Sequence, residues 1–180
     1  MKIRQEIDVG KHNIILIGFM GTGKTTVAAE LAKSLNLTRI DLDQEIVNDQ
    51  NKSIPDLFAE YGEDHFRNVE EALLHRVLMK DRQVVATGGG AVLREANCIC
   101  MKQNGFVVAL TASPEVIIQR VSQDTDRPLL KGNVAERVHS ILKEREDAYQ
   151  FADLTLDTSS GLLTETIDTI IKQWRAWITR

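Results

Sequence analysis

The segment NIILIGFMGTGKT, residues 13–25, decides the fold. An apolar run of strand length leads directly into a loop with three glycines, and the loop ends at Lys24 and Thr25. From Gly18 to Thr25 the residues satisfy the pattern GxxxxGK[ST], and residues 24–35 beyond it follow a helical pattern. Glycines let backbone N–H groups converge on phosphate oxygens, and the positive end of the following helix points the same way. The segment therefore predicts a strand–loop–helix unit that binds a nucleoside triphosphate.

The side chains that close this loop have individual roles in the prediction. Lys24 reaches the β- and γ-phosphates, while the Thr25 hydroxyl ligates Mg²⁺. A glycine-rich turn that binds nothing is the alternative, and the flanking strand and helix argue against it. The residues predicted to contact ATP here are Gly21, Thr22, Gly23, Lys24, Thr25 and Thr26.

Outside this unit, short apolar runs alternate with longer segments of helical period. The predicted strands are residues 13–18, 38–41, 83–87, 106–111 and 154–156. The predicted helices are residues 24–35, a segment from Ser53, a second after Gly62, one ending near Val121, residues 134–149, and a last helix that buries Leu163, Ile167, Ile170, Ile171, Trp174 and Ile178. Such alternation indicates an α/β class, with a five-stranded parallel sheet between two layers of helices. We expect a single domain over residues 1–180, with a mobile lid at about 123–133 and a substrate-binding helical segment at about 43–80.

Composition narrows the possible partners. The 180 residues carry 22 basic and 26 acidic side chains, a net charge of −4, which argues against a nucleic-acid-binding protein. The apolar run near the N-terminus is too short to span a membrane. The spacings of the four histidines and of Cys98 and Cys100 match no metal site, and two free thiols suit a reducing compartment. We expect a cytoplasmic monomer.

Ligands of parallel α/β sheets bind beyond the carboxyl ends of the strands, and polar residues follow several predicted strands there. Asp41 and Asp43 lie at and just past the end of strand two, and their two-residue spacing predicts that both side chains point toward the ligand. One carboxylate suits Mg²⁺, and the other suits the proton of an attacking hydroxyl. Capping of the next helix is the equally simple reading of this pair. The turn Gly88–Gly90 follows strand three and allows backbone to approach a small ligand, although it is also a plausible flexible turn.

Three arginines are candidates for anion binding. Arg67 offers a bidentate fork for a carboxylate, Arg127 lies on a turn-rich loop that suits closure over a phosphoryl group, and Arg145 ends a predicted helix. Each is weak taken alone, because arginines are usually solvated surface residues.

Together these segments closely resemble the shikimate kinase family. The matching stretches are GFMGTGKTT (18–26), IDLD (40–43), SIPDLFAEYGEDHFRNVE (53–70), GGGAV (88–92) and RPLL (127–130), in the order and approximate spacing of that family. The resemblance implies the P-loop kinase fold and the reaction of ATP with shikimate to give ADP and shikimate 3-phosphate. It implies that Asp41 supports Mg²⁺, that Asp43, Arg67, Gly88–Gly90 and Arg145 hold shikimate, and that Asp43 is the base. Lys24, Asp43 and Arg127 are then the catalytic residues, Arg127 is the lid arginine on ATP, and Arg120 is the arginine beside adenine.

The chain departs from the family pattern at a few positions. The stretch after Arg145 is one residue shorter and lacks a usual proline, residues 157–161 lack a proline that often supports adenine, and Ala28 replaces a frequent glycine. A related kinase for gluconate or a nucleoside monophosphate is one alternative. A catalytically silent metabolite-binding domain is another, although Lys24, Asp43 and Arg127 are all present.

Overall fold

Five strands form one parallel sheet at the centre of the computed structural model, which describes residues 12–122 and 133–179. In chain order they are β1 (Asn13–Ile17), β2 (Thr38–Asp41), β3 (Gln83–Ala86), β4 (Gly105–Thr111) and β5 (Leu154–Asp157). Their spatial order is β2-β3-β1-β4-β5, so β1 lies at the centre between β3 and β4. The register pairs Leu16 with Ala86 and Ala86 with Asp41. Three strands therefore end at the same edge of the sheet.

Helices cover both faces of this sheet. They are α1 (Lys24–Leu35), α2 (Leu42–Gln50), α3 (Ile54–Leu78), α4 (Glu95–Asn104), α5 (Pro114–Val121), α6 (Val134–Glu144) and α7 (Leu163–Trp177), with a short 3₁₀ helix at Ala91–Leu93. The alternating side chains of β1 separate two cores, because successive strand residues point to opposite faces. Ile14 and Leu16 pack with α1 and α7, whereas Ile15 and Ile17 pack with α2, α3 and α4. The predicted three-layer α/β/α architecture with a parallel five-stranded sheet is confirmed.

A third, smaller core joins the phosphate-loop segment to α5 and α6. Phe19 and Met20 of the loop pack against Ile117, Val121 and Val138 of these helices. The packing of these two large apolar side chains stabilises the position of the loop beside the sheet.

The long helix α3 is interrupted where the sequence predicts two helical segments. Ser53 caps its N-terminus by accepting a hydrogen bond from the Asp56 N–H at 3.2 Å. Gly62 has φ 80° and ψ 173°, which are not helical angles, so the chain bends between the two parts. Arg67 and Phe66 lie on the second part and are both buried.

Helix α6 differs from its prediction. The expected helix over residues 134–149 ends at Glu144, and Arg145 has φ −111° and ψ 16°. Beyond it the backbone forms successive 3₁₀-type turns, in which Ala148 N–H donates to Arg145 O and Ala152 N–H donates to Tyr149 O. These tighter turns bring Arg145 and Tyr149 within hydrogen-bond distance of the same backbone carbonyl, Gly89 O.

Other differences concern elements with weak periodicity. Helices α2 and α4 were not predicted as separate elements, because α2 has only nine residues and α4 mixes polar and apolar residues without a clear face. On α7, Ile167, Ile170 and Trp174 are buried as expected, but Leu163 and Ile178 are 38% and 37% exposed. These two lie at the ends of the helix, where a side chain has packing neighbours on one side only.

The lengths of the helices and the state of the two cysteines relate to the predictions from composition. None of the helices in the described ranges has both the length and the apolar character needed to cross a membrane. Neither Cys98 nor Cys100 forms a disulfide in the described part of the chain, and both are half-buried against the core that contains α3.

We expect Ile15→Ala to lower the free energy of unfolding by about 3 kcal/mol, because it leaves a cavity in the central strand. Ile15 is fully buried, whereas Ile99 on α4 is 50% exposed. The matched control Ile99→Ala should cost about 0.5 kcal/mol or less. Urea denaturation followed by circular dichroism measures both, and equal losses would contradict the position of β1 at the centre.

Candidate active site

The phosphate loop leaves β1 through a glycine with an unusual conformation. Gly18 has φ 139°, and a β-carbon on it would lie 2.2 Å from the backbone oxygen of Leu110 on β4. At the other end of the loop, Gly23 has φ 91° and forms the N-cap of α1. Both positions need the left-handed φ range that glycine tolerates. The glycines of the motif therefore allow the sharp turn that brings the N-terminus of α1 back to the end of the sheet.

Lys24 and Thr22 hydrogen-bond with the loop itself. The Lys24 ammonium donates to Gly18 O and to Phe19 O, both at 2.8 Å. The buried Thr22 hydroxyl also donates to Phe19 O, at 2.7 Å. The charged group of Lys24 thus lies directly over the concave side of the loop, where phosphate oxygens would replace the carbonyl oxygens.

Asp41 lies between the loop and α2 and has two roles in the structure. Its Oδ2 accepts a hydrogen bond from the Thr25 hydroxyl at 3.3 Å, and its Oδ1 accepts from the Gln44 N–H at 3.4 Å, as N-cap of α2. The capping reading of the sequence is therefore correct for Asp41. It does not exclude the metal role, because the Thr25 and Asp41 oxygens form a hard-oxygen donor pair at the phosphate loop.

Thr25 and Asp41 suit an Mg²⁺ ion that is also bound by the nucleotide, and not a metal site built from protein ligands alone. Among the described residues, no group of three or more His, Cys, Asp or Glu side chains is arranged to hold a metal. Mg²⁺ commonly takes one or two protein oxygens together with waters and substrate phosphates. The donors present fit an ion that arrives with a nucleotide.

Asp43 lies in the first turn of α2, not on the strand. The two-residue alternation of a strand is therefore not the reason why Asp41 and Asp43 face the same way. Both nevertheless line one cavity of about 270 Å³, together with Lys24, Thr87 and Gly89. The carboxylates, the phosphate loop and the glycine turn share one space because β1, β2 and β3 end at the same edge.

The glycine turn brings its neighbours unusually close to its backbone. A β-carbon on Gly88 would lie 2.8 Å from Asp43 Oδ1 and 2.9 Å from Glu70 Oε1. One on Gly90 would lie 2.4 Å from a guanidinium nitrogen of Arg67. Side chains at these two positions would displace the charged groups, so the glycines allow both signs of charge to approach the turn.

Arg67 is held inside the protein by acidic residues on its own helix. It is only 7% exposed, and its Nη1 lies 2.6 Å from Glu70 Oε2 while its Nη2 lies 3.2 Å from Glu63 Oε1. Burial disfavours the charge, but the Glu70 and Glu63 carboxylates outweigh it and keep the pKa of Arg67 above its usual value. Arg67 is therefore a permanent, buried cation, not the solvated surface arginine of the alternative reading.

Glu70 is a charged site residue that sequence reasoning missed. It is fully buried, and its Oε1 has no hydrogen-bond partner among the described residues. Burial raises the pKa of Glu70, the Arg67 guanidinium opposes the rise, and the nearby Asp43 carboxylate adds to it. The only sequence signal was its position three residues after Arg67 on a helix, a spacing that most often indicates an exposed ion pair.

Arg145 reaches the same turn from the end of α6. It is 7% exposed, and its Nη1 donates to Gly89 O at 3.1 Å. The structure thus brings together Asp43, Arg67, Gly88–Gly90 and Arg145, which come from four separate parts of the sequence. Two buried cations and a carboxylate on one small turn suit a ligand with both an acid group and a hydroxyl.

Arg120 lies on the other side of the phosphate loop. Its guanidinium donates to Gly21 O at 2.9 Å and to Thr158 O at 2.9 Å, so it connects the loop with the segment after β5. It lines the first cavity and also a second one of about 310 Å³ that includes Thr158, Leu163 and Thr166. The second cavity is half apolar and adjoins the loop, which suits a nucleobase.

Arg127 and nearly all of the predicted lid, residues 123–133, lie outside the described residues. Asn133 is described, and its side chain caps α6 by accepting a hydrogen bond from the Glu136 N–H.

Comparisons with known proteins identify the family of the chain. The family model described as shikimate kinase matches residues 20–175. A shikimate kinase of Thermoanaerobacter pseudethanolicus is 40% identical over 163 residues, covering 90% of this chain and 95% of the relative. One of Desulforudis audaxviator is 46% identical over 162 residues, covering 89% and 85%. The chain belongs to the shikimate kinase family.

A solved shikimate kinase has the same fold. The enzyme from Acinetobacter baumannii, determined in complex with shikimate, superposes with a TM-score of 0.87 at 36% identity, covering 91% of this chain and 93% of that one. The range that the family model matches spans all the residues that meet at the glycine turn. As a member of this family the chain is an ATP-dependent kinase.

We expect Glu70→Ala to lower the free energy of unfolding by about 3 kcal/mol, because it leaves the buried Arg67 cation without its main counter-charge. Glu71→Ala is the matched control, since Glu71 pairs with Arg94 with both side chains 31% exposed. An ion pair with this much solvent contact is worth about 1 kcal/mol or less. Urea denaturation compares the two variants, and a loss for Glu70→Ala no larger than that of the control would contradict the buried-pair description.

Proposed function

We propose that this kinase transfers the γ-phosphate of ATP to the 3-hydroxyl of shikimate and releases ADP and shikimate 3-phosphate, a step towards aromatic amino acids. One observation carries the proposal. The buried cations Arg67 and Arg145 meet the Asp43 carboxylate at the glycine turn, and Asp43 shares its cavity with Lys24 of the phosphate loop. The acid-binding groups, a proton acceptor and the phosphate-binding group therefore lie side by side.

ATP is proposed to bind along the loop, with its base in the second cavity beside Arg120. Backbone N–H groups of residues 21–26 and the N-terminus of α1 face its phosphates. Lys24 then exchanges its hydrogen bonds with Gly18 O and Phe19 O for bonds with phosphate oxygens. The same ammonium group thereby neutralises charge that grows on the phosphates as the reaction proceeds.

Thr25 and Asp41 would hold Mg²⁺ between the protein and the nucleotide. Bound there, the ion would offset negative charge on the phosphate oxygens. The other contributions derive from the side chains of the chain itself.

Shikimate is proposed to bind at the glycine turn through its acid group. A carboxylate accepts two parallel N–H bonds from an arginine, and Arg67 and Arg145 both present buried guanidiniums here. Because Glu70 and Glu63 already fix the orientation of Arg67, little side-chain entropy is lost when the acid binds. The hydroxyl of the same molecule then faces Asp43.

Asp43 is proposed as the base of the transfer step. As the shikimate oxygen forms its bond to the γ-phosphorus, the hydroxyl proton moves to the Asp43 carboxylate, and the bond to the β-γ bridging oxygen breaks to release ADP. Most of the acceleration then comes from positioning and charge neutralisation. Arg127 remains the proposed lid residue that adds positive charge on the phosphates, on the ground of the family resemblance alone.

The activity predicts ADP release that depends on shikimate. Turnover should appear with ATP, Mg²⁺ and shikimate in a coupled ADP assay, and should be lost when EDTA removes the metal. Gluconate and a nucleoside monophosphate, run in parallel, represent the related kinases. Turnover with gluconate or the monophosphate in place of shikimate would reassign the acceptor, and binding of ATP without turnover would favour a silent metabolite-binding domain.

Asp43→Asn should reduce kcat by about 100-fold or more, because an amide cannot accept the proton. Its dissociation constant for ATP should stay within about twofold of the wild type, since Asp43 faces the acceptor and not the nucleotide. Asp168→Asn, on the exposed face of α7, is the control for loss of one carboxylate charge. Steady-state kinetics and calorimetry measure the two quantities, and an undiminished kcat would remove Asp43 from the mechanism.

A further inference from the structure

One backbone carbonyl in the glycine turn receives two side-chain hydrogen bonds. Gly89 O accepts from Arg145 Nη1 at 3.1 Å and from the Tyr149 hydroxyl at 2.9 Å. A carbonyl oxygen has two lone pairs, and here both are used by groups from the same short segment after α6. Tyr149 therefore bonds to the turn that lies at the centre of the proposed shikimate site, although sequence analysis assigned it no role.

The local fold explains how Tyr149 reaches this carbonyl. Helix α6 stops at Glu144, and the following 3₁₀-type turns place Arg145 and Tyr149 on the same side of the chain. The Tyr149 ring packs against the core that contains Ile15 and Ile17 of β1 and helices α2, α3 and α4. Burial raises the pKa of its phenol, against the lowering effect of the Arg145 guanidinium, so the hydroxyl keeps its proton and acts as a donor.

Fixing the orientation of the Gly89 carbonyl also fixes the orientation of the Gly90 N–H, which belongs to the same peptide. The Gly89 C=O and the Gly90 N–H belong to one planar trans peptide, so they point in opposite directions. Glycine on both sides gives this peptide more rotational freedom than any other pair of residues. A second hydrogen bond from a ring anchored in the core opposes that rotation.

We propose that Tyr149 is a positioning residue for shikimate: its hydroxyl, through the shared Gly89 carbonyl, fixes the peptide plane of the glycine turn and the guanidinium of Arg145. This rests on the proposed function of the same site. Tyr149 itself does not touch the reacting groups. It acts on acid binding, because Arg145 and the turn form the proposed acid-binding side, while ATP binds on the opposite side of Asp43.

The test is Tyr149→Phe, which removes one hydroxyl and keeps the ring in the core. Loss of one hydrogen bond in a buried site predicts a KM for shikimate raised roughly tenfold, with the KM for ATP within about twofold of the wild type. Tyr61→Phe is the control, because the Tyr61 hydroxyl accepts from Lys52 at a position 48% exposed. A thermal melt verifies that both variants are folded at the assay temperature.

If Tyr149 only stabilised the fold, the Tyr149→Phe variant would give a different result. If Tyr149→Phe lowers the melting temperature but leaves the KM for shikimate unchanged, or raises both KM values equally, the positioning role is overturned. A wild type without shikimate turnover overturns the proposed function instead, so the two failures are distinct.

A double-mutant cycle with Arg145→Lys tests the route of the effect. If Tyr149 acts through the carbonyl that it shares with Arg145, the combined increase in KM for shikimate should be clearly smaller than the product of the two single increases. A combined effect equal to that product would show that Tyr149 acts independently of Arg145 and would overturn the proposal.

Discussion

The parallel pairing of β1 with β3 and of β3 with β2 is the constraint on which every functional contact depends. It places Leu16, Ala86 and Asp41 side by side, so that the phosphate loop, the glycine turn and the start of α2 leave the sheet at one level. Were the register of β3 shifted by one residue, its buried faces would be exchanged and the glycine turn would move away from the loop. The burial of β1 and β3 on both faces of the sheet therefore fixes their register and the distance between the two halves of the site.

The charged side chains of Arg67 and Arg145 reach this edge from helices, and their burial determines how strongly they attract an anion. Arg67 and Arg145 are almost entirely enclosed, and a cation in such surroundings attracts an anion more strongly than one in water. The desolvation of each guanidinium is offset by a nearby partner, which is Glu70 for Arg67 and a backbone carbonyl for Arg145. The acid-binding side is thus assembled before any ligand arrives, which reduces the ordering that binding requires.

Sequence alone predicted the parts of the structure that depend on local chemistry. The GxxxxGK[ST] segment, helix α1, the Ser53 cap and the break at Gly62 follow from residues that are neighbours in the chain. The role of Glu70 did not, because an Arg–Glu pair three residues apart reads the same on an exposed helix as on a buried one. Nor did the early end of α6, since nothing in residues 145–149 distinguishes a helix from tight turns until Gly89 is brought beside them. The family resemblance identified Asp43, Arg67 and Arg145 together, which no single spacing in the sequence could do.

The hydrogen bonds of Lys24 with Gly18 O and Phe19 O have a consequence for turnover. A lysine without such partners would have to exchange its phosphate contacts for water whenever the nucleotide departed. Here the loop supplies its own carbonyl oxygens to the emptied position, so the lysine is satisfied with or without phosphate. Because a nucleotide phosphate must displace two existing hydrogen bonds, the net free energy that it gains from Lys24 is reduced, which favours the departure of ADP.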